Sequence, residues 1–348
     1  MLKIKRPYLL IICLLLLALS SQAQYGGRHT YAFLELTQGA RVAALGGKAI
    51  ALADNDIAMV HENPALIGPG MNGQLALNYV NYFSDINYGS VNYAGKWRGN
   101  TFSAGLQYMH YGTFRKANEQ GIVEGNFSAA DYAFRLSYAR PVLDSLLVAG
   151  ISFKPLFSHL EQYTSWGLAF DLGLLYPKGN FTAALVIKNL GLQLTSYAGT
   201  RESLPLNIQA GFSQKLENAP IRFVVLFDHL ETPDLTYQSQ LADEKNTDPI
   251  TGEVARKQGV DKWADMFMRH VIVGVELTPV KNLWLNAGYN YRRRQELLVE
   301  SKTSTVGFSW GFGIKIAQFR LSYGRGTYHL AGATNHFSVS TNLHQFLH

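Results

Sequence analysis

Gly307-Phe308-Ser309-Trp310-Gly311 has the Gly-x-Ser-x-Gly spacing that holds a nucleophilic hydroxyl on a sharp strand-to-helix turn in serine hydrolases. That chemistry needs the turn and a nearby base. Here the motif lies inside an alternating segment with no helical pattern after it, so Ser309 reads as a mid-strand residue. Gly46-Gly47-Lys48-Ala49 lacks the Ser/Thr and the earlier glycine of a phosphate loop and reads as a tight turn. Asp54-Asn55-Asp56 opens like a calcium loop, but no Gly and Glu complete it. Capping explains it better, with Asp54 as N-cap and Asp56 in the first turn of a helical stretch that runs to Glu62. The ten histidines are scattered, and none pairs at metal-ligand spacing. The expectation is a chain with no catalytic set, no cofactor and no metal.

The elements around these residues alternate with period two. Val306, Phe308, Trp310, Phe312 and Ile314 point one way; Thr305, Gly307, Ser309, Gly311 and Gly313 point the other. Tyr132, Phe134, Leu136 and Tyr138 likewise oppose Ala133, Arg135, Ser137 and Ala139. One face is rich in Phe and Tyr and the other in Gly, Ser, Asn and Gln, as in a barrel with lipid outside and a wet or plugged lumen. The pattern predicts fourteen strands, at 74–81, 86–95, 101–111, 131–140, 145–154, 167–176, 181–189, 207–216, 221–229, 269–277, 282–291, 304–316, 318–325 and 334–343. Connections after even-numbered strands are short. Those after strands three, five, seven, nine and eleven are long, and the one after strand one is a short exception. The predicted fold is therefore all-β: a transmembrane antiparallel barrel of about 14 strands with a short N-terminal helical plug segment.

Lys3, Lys5 and Arg6 precede an apolar run from Tyr8 to Leu19, and Ser21-Gln22-Ala23 offers small residues for cleavage. Residues 1–23 therefore read as a secretory signal peptide, 24–72 as the plug segment and 73–348 as the barrel. Cleavage removes Cys13, the single cysteine, and leaves twenty-eight cations against twenty-five acids, a net charge of +3. That balance is too mild to imply a nucleic-acid partner. The expected location is a Gram-negative outer membrane with long loops outside and both termini periplasmic. The connection at 230–268 exceeds what a turn needs, so it is expected to be functional or disordered. Within it, 243–248 is polar, while Trp263, Met266, Phe267 and Met268 form either a short helix packed on the barrel mouth or a partner-docking surface. Arg292-Arg293-Arg294 closes strand eleven as a rim anchor or as a contact for lipopolysaccharide phosphates.

Ala44-Leu45-Gly46-Gly47, then Asp54-Asn55-Asp56-Ile57-Ala58, then Asn63-Pro64-Ala65-Leu66, placed ahead of such a barrel, resemble the PorV/PorQ family, itself similar to the FadL barrels. The opening Tyr31-Ala32-Phe33-Leu34 and the ending Phe337-Ser338-Val339-Ser340-Thr341-Asn342-Leu343 are most like the PorQ branch. The likeness covers nearly the whole mature chain. It makes Gly46, Gly47, Asp54, Asp56, Asn63, Pro64 and Ala65 the family positions of the plug. It implies a type IX secretion system component that holds a PorZ-like surface protein beside PorU and PorV, which attach cargo to lipopolysaccharide. The alternative is a FadL-like transporter of hydrophobic small molecules, which needs a route past the plug. Protease added to intact cells is expected to cut first within 230–268; cleavage confined to 141–144 or 217–220 would reverse the topology.

Overall fold

Fourteen antiparallel strands close on themselves in the computed structural model, which describes residues 30–346 apart from 83–85, 144–145, 198, 200, 237–259, 298–304 and 330–331. They are β1 (Gln74–Asn81), β2 (Asn87–Trp97), β3 (Asn100–Ala117), β4 (Val123–Val142), β5 (Leu147–Leu160), β6 (Tyr163–Lys178) and β7 (Phe181–Thr195). The circuit continues through β8 (Asn207–Lys215), β9 (Ile221–Phe227), β10 (Val271–Val280), β11 (Leu283–Asn290), β12 (Phe308–Ile316), β13 (Phe319–His329) and β14 (Gly332–Asn342). Each strand pairs with its chain neighbours, and β1 pairs with β14 from Gln74↔Asn342 to Asn81↔Asn335. The predicted signal peptide and Cys13 lie outside the described residues.

The period-two pattern sorts the faces as expected. Leu77, Tyr79, Phe134, Leu136, Trp310, Phe312 and Ile314 are exposed on the outside, where lipid would stand. Asn78, Gln107, Ser137, Ser152, Gln209, Asn286 and Ser309 are buried inside. Such a wall is two surfaces in one strand: apolar against hydrocarbon, polar against whatever fills the lumen.

All fourteen predicted strands overlap an observed one, and the parity of the chain holds. At the turn end, which carries Gln74 and Asn342, connections are two to five residues. At the opposite, loop end, two expectations fail. The predicted long connections after strands three and five are absent: β3 runs on to Ala117, β4 begins at Val123, and only residues 161–162 separate β5 from β6. Apolar alternation fades once a strand rises above lipid, so strand and loop look alike in sequence there. The 20 residues of β4 span about 52 Å along the barrel axis, and the 7 residues of β9 about 18 Å, for a usual tilt near 40°, against an apolar band of about 25 Å. The rim is tall over β3–β6 and low at β9. At the low side the predicted start of strand ten and the predicted end of strand eleven give way to helices: α2 (Val260–His270) precedes β10 and α3 (Tyr291–Leu297) follows β11.

Residues 31–71 fold back into the lumen as a chain of short turns. These are 3-10 turns at Ala32–Glu35, Ile57–His61, Pro64–Leu66 and Pro69–Met71, with α1 (Ala40–Ala44) after the first. The lumen is therefore plugged. Leu45, Ile50, Ile57 and Met59 pack with wall residues Val186, Leu226 and Ile272. Tyr31, Phe33 and Leu34 pack with Val80, Tyr88 and Leu156. Buried side chains here make this a packed core rather than a loosely wetted plug.

Glycines on the lumen face let the plug backbone approach so closely. A Cβ on Gly150 or Gly173 would collide with Asn63, Pro64 or Ala65, and one on Gly288 with Leu45 and Gly46. Gly173→Val is expected to destabilise the folded barrel by about 1–3 kcal/mol through overpacking. Urea unfolding followed by heat-shifted gel mobility measures this; an unchanged midpoint would mean the plug is not wedged there.

Candidate functional site

The plug meets the wall at several heights, and the family-motif residues are spread over them. Asn63 accepts the Ala65 N–H at 2.8 Å and donates Nδ2 to the Ile50 carbonyl at 3.0 Å. Pro64 opens the next turn, where a missing N–H costs nothing, and Ala65 is small enough to lie against Gly150. The Asn-Pro-Ala run is thus a fitted joint against β5 and β6. Gly46 and Gly47 take φ of 98° and 97°, and the Gly47 N–H caps the carbonyl of Val42 at 2.9 Å, which ends α1 in a tight turn as expected. Lys48 reaches back to the Glu35 carbonyl at 2.8 Å. Ser309, in the middle of β12, accepts the Gly46 N–H at 3.0 Å and donates to the Ala44 carbonyl at 2.9 Å. Its hydroxyl fixes the plug and sits on no nucleophile elbow.

The acidic triplet divides its work differently from expectation. Asp56, not Asp54, is the N-cap of the Ile57–His61 turn, accepting from Ala58 N at 3.1 Å. Asp54 is instead drawn to arginine. Arg41 of α1 holds Asp54 at 2.7 Å and grips Glu276 of β10 through Nε and Nη2 at 2.7 and 2.9 Å. Arg222 of β9 bridges the same two acids at 2.8 and 3.1 Å. Arg320 of β13 binds Asp56 at 3.1 Å while lying over the Trp284 ring, 4.7 Å from its centroid. Three arginines and three carboxylates thus lock plug to wall at the turn end. Burial alone would raise the Asp54 pKa, but Arg41 and Arg222 outweigh it and hold this carboxyl well below the usual carboxylate range. Two cavities beside this latch, lined by Arg41, Asp56, Met59, Ser322 and Trp284 among others, are about 10 Å³ each, room for about one water molecule.

At mid-height the plug inserts His61 and Glu62 among wall cations. Arg135 of β4 donates to His61 Nδ1 at 2.6 Å. Guanidinium only donates, so this nitrogen is an acceptor and the ring is neutral; burial and then Arg135 push the His61 pKa well below its ordinary value. Lys154 of β5 meets Asp171 of β6 at 2.5 Å and Asn189 of β7 at 2.5 Å. Lys188 stands 3.6 Å from Glu62. Asn189 adopts φ of 61° where the β6–β7 register shifts, so its N–H turns to Asp171 at 2.8 Å.

At the loop end the arginine run lies on α3 and points into the protein. Arg293 donates to the Gly46 carbonyl at 3.0 Å, Arg294 to the Val306 carbonyl at 3.3 Å, and Arg292 lies 3.9 Å from Asp228. Trp263, Met266, Phe267 and Met268 fall on the helix α2 at the barrel mouth, with Trp263 and Phe267 exposed rather than packed into it, whereas 243–248 lies outside the described residues. Sequence reading passed over Arg41, Arg222, Glu276 and Arg320. For Arg222, Glu276 and Arg320 the signal is a charge at an inward-pointing strand position near the turn end.

No family model matches the chain, and no curated protein matches it. Among solved structures it is similar to TodX, a toluene transporter of P. putida, at 15% identity over 89% of this chain and 99% of that one, with a TM-score of 0.51. It is similar also to a deltaS2 mutant of that TodX monoaromatic hydrocarbon channel, at 15% identity over 88% and 97% of the two chains, TM-score 0.51. A FadL homologue from Pseudomonas aeruginosa matches at 10% identity over 92% and 100%, TM-score 0.49. The likeness establishes the fold: an outer-membrane β-barrel of the FadL/TodX type.

Proposed function

We propose that this chain is a non-catalytic component of the type IX secretion system, standing in the outer membrane of a Gram-negative bacterium as the anchor of a PorZ-like surface protein. The observation that carries the reading is the β3–β4 hairpin. Its strands of 18 and 20 residues rise to about twice the height of the apolar band. Its upper part exposes Phe114, Ile122 and Val123, with Phe114 stacked on Phe127 at 5.1 Å between ring centroids. An apolar tip held that far above lipid suits a protein partner. The packed lumen fits an anchor better than an open pore, and the motif run from Ala44 to Leu66 is the plug's fitted joint. PorU, PorV and lipopolysaccharide complete the setting that the sequence resemblance implies.

An anchor concentrates binding in a few residues, each costing about 2 kcal/mol or more on truncation, roughly a thirtyfold loss of affinity. Phe114→Ala with Ile122→Ala is expected to release the surface partner from cells while the barrel stays inserted. Full retention of the partner by this variant would sink the hairpin as the docking surface.

A second reading is uptake of hydrophobic small molecules, and the fold comparisons stand nearer to it, since TodX is described as a toluene transporter. Passage would require the plug to leave the latch of Arg41, Asp54 and Glu276. The folded pKa of Asp54 lies below its unfolded value, near 3.9 for a free Asp. Its stabilising contribution is complete above that value and lost only as pH falls through the folded one. Conductance of the barrel in a planar bilayer is therefore expected to stay closed and flat from pH 8 to pH 5, and to appear on Arg41→Ala. If deleting the protein abolishes toluene uptake while the surface partner is retained, transport is the function.

A further inference from the structure

Helix α2 is oriented inside out for a helix in water. Asp265 is buried, accepting from Tyr291 Oη at 2.8 Å and from Arg269 Nε at 2.8 Å. His270 is buried too, its Nδ1 donating to the Asp228 carbonyl at 2.7 Å. The polar side of the helix thus packs on the protein. Val260, Trp263 and Phe267, one stripe at i, i+3 and i+7, are 83%, 72% and 58% exposed. A helix meant for solvent turns these faces the other way.

What lies beside that stripe shows what covers it. Phe267 stacks near Phe227, ring centroids 6.0 Å apart. Phe227 ends β9 on the same outward face as Phe223 and Val225, its inward neighbours Val224 and Leu226 being buried. It pairs with Val271, and the outward-facing Val273 and Val275 follow down β10. The apolar stripe of α2 therefore continues the lipid-facing surface of the barrel without a polar break. It does so where the wall is lowest: the 7 residues of β9 and 8 of β11 reach only about 18 and 21 Å along the axis, short of an apolar band of about 25 Å.

We propose that α2 lies in the membrane interface at the loop end, its Val260–Trp263–Phe267 stripe sunk in lipid, and completes the apolar belt where the strands are too short to make it. The occupant of the face is the acyl and headgroup boundary of the bilayer, which takes amphipathic helices with an outward aromatic stripe. Trp and Phe at such a boundary also fix the barrel's height and tilt. Lys262, exposed on another side of the helix, marks the aqueous direction.

The test is depth-dependent quenching in vesicles of phosphatidylethanolamine and phosphatidylglycerol. Trp263→Cys, Phe267→Cys and Lys262→Cys are made in a Cys13→Ser background, labelled with an environment-sensitive fluorophore and reconstituted, with folding checked by heat-shifted mobility. Labels at 263 and 267 are expected to emit to the blue of the label at 262. They should also be quenched at least about threefold more by nitroxide-bearing lipid than by aqueous iodide, with the reverse at 262. Iodide quenching at 263 and 267 equal to that at 262 would overturn the proposal and leave the face to a protein partner or a second copy. Should a labelled variant fail to fold, the unlabelled chain gives the same answer. Trp263→Phe is expected to remove a component of tryptophan emission that brominated lipid quenches in the wild type; an unchanged quenched fraction overturns the proposal.

Discussion

Every backbone N–H and C=O that crosses hydrocarbon must find a partner within the protein, because lipid offers none. The rest of the structure depends on this. It forces the sheet to close, and closure falls to β1 and β14, whose eight register pairs join the beginning of the barrel to its end. It also fixes the period-two division of side chains, since a closed sheet has one face for lipid and one for the lumen. With fourteen strands the enclosed space is too wide for wall side chains alone to fill.

The plug answers that second constraint. Residues 31–71 bring both apolar and charged groups into the lumen, and each meets a wall residue suited to it. The fit is steric where Gly150, Gly173 and Gly288 admit backbone, and electrostatic where Arg41, Asp54 and Asp56 meet Arg222, Glu276 and Arg320. Charges in such a place are costly unless paired and hydrogen-bonded, and here they join into networks at two heights. The plug is therefore held by many contacts of different kinds, which makes the segment a structural part of the barrel and not a flexible insert.

The uneven rim follows from strand length. Strands three to six overshoot the bilayer and build a platform; strands eight to twelve stop early and leave helices α2 and α3 to finish the mouth. The aromatic cluster on α2 and the arginine run on α3 are drawn apart by this arrangement: Phe267 turns outward beside Phe227, while Arg293 turns inward to Gly46.

The alternation of residues determined that the chain is an antiparallel barrel, how many strands it has and which side chains face lipid, because burial on one face of a strand repeats every second residue and leaves a local trace. The tight turn at Gly46-Gly47 was legible for the same reason: its geometry is set by neighbours in sequence. Only the tertiary structure decided which acid caps and which one latches. Asp54 and Asp56 are alike in local pattern, and Arg222, Glu276 and Arg320, which separate them, lie more than 160 residues away. It also decided that Ser309 holds the plug and where β3 to β6 end. The strand ends above lipid carry no apolar period, and a hydroxyl's partner across a lumen leaves no mark on the residues beside it.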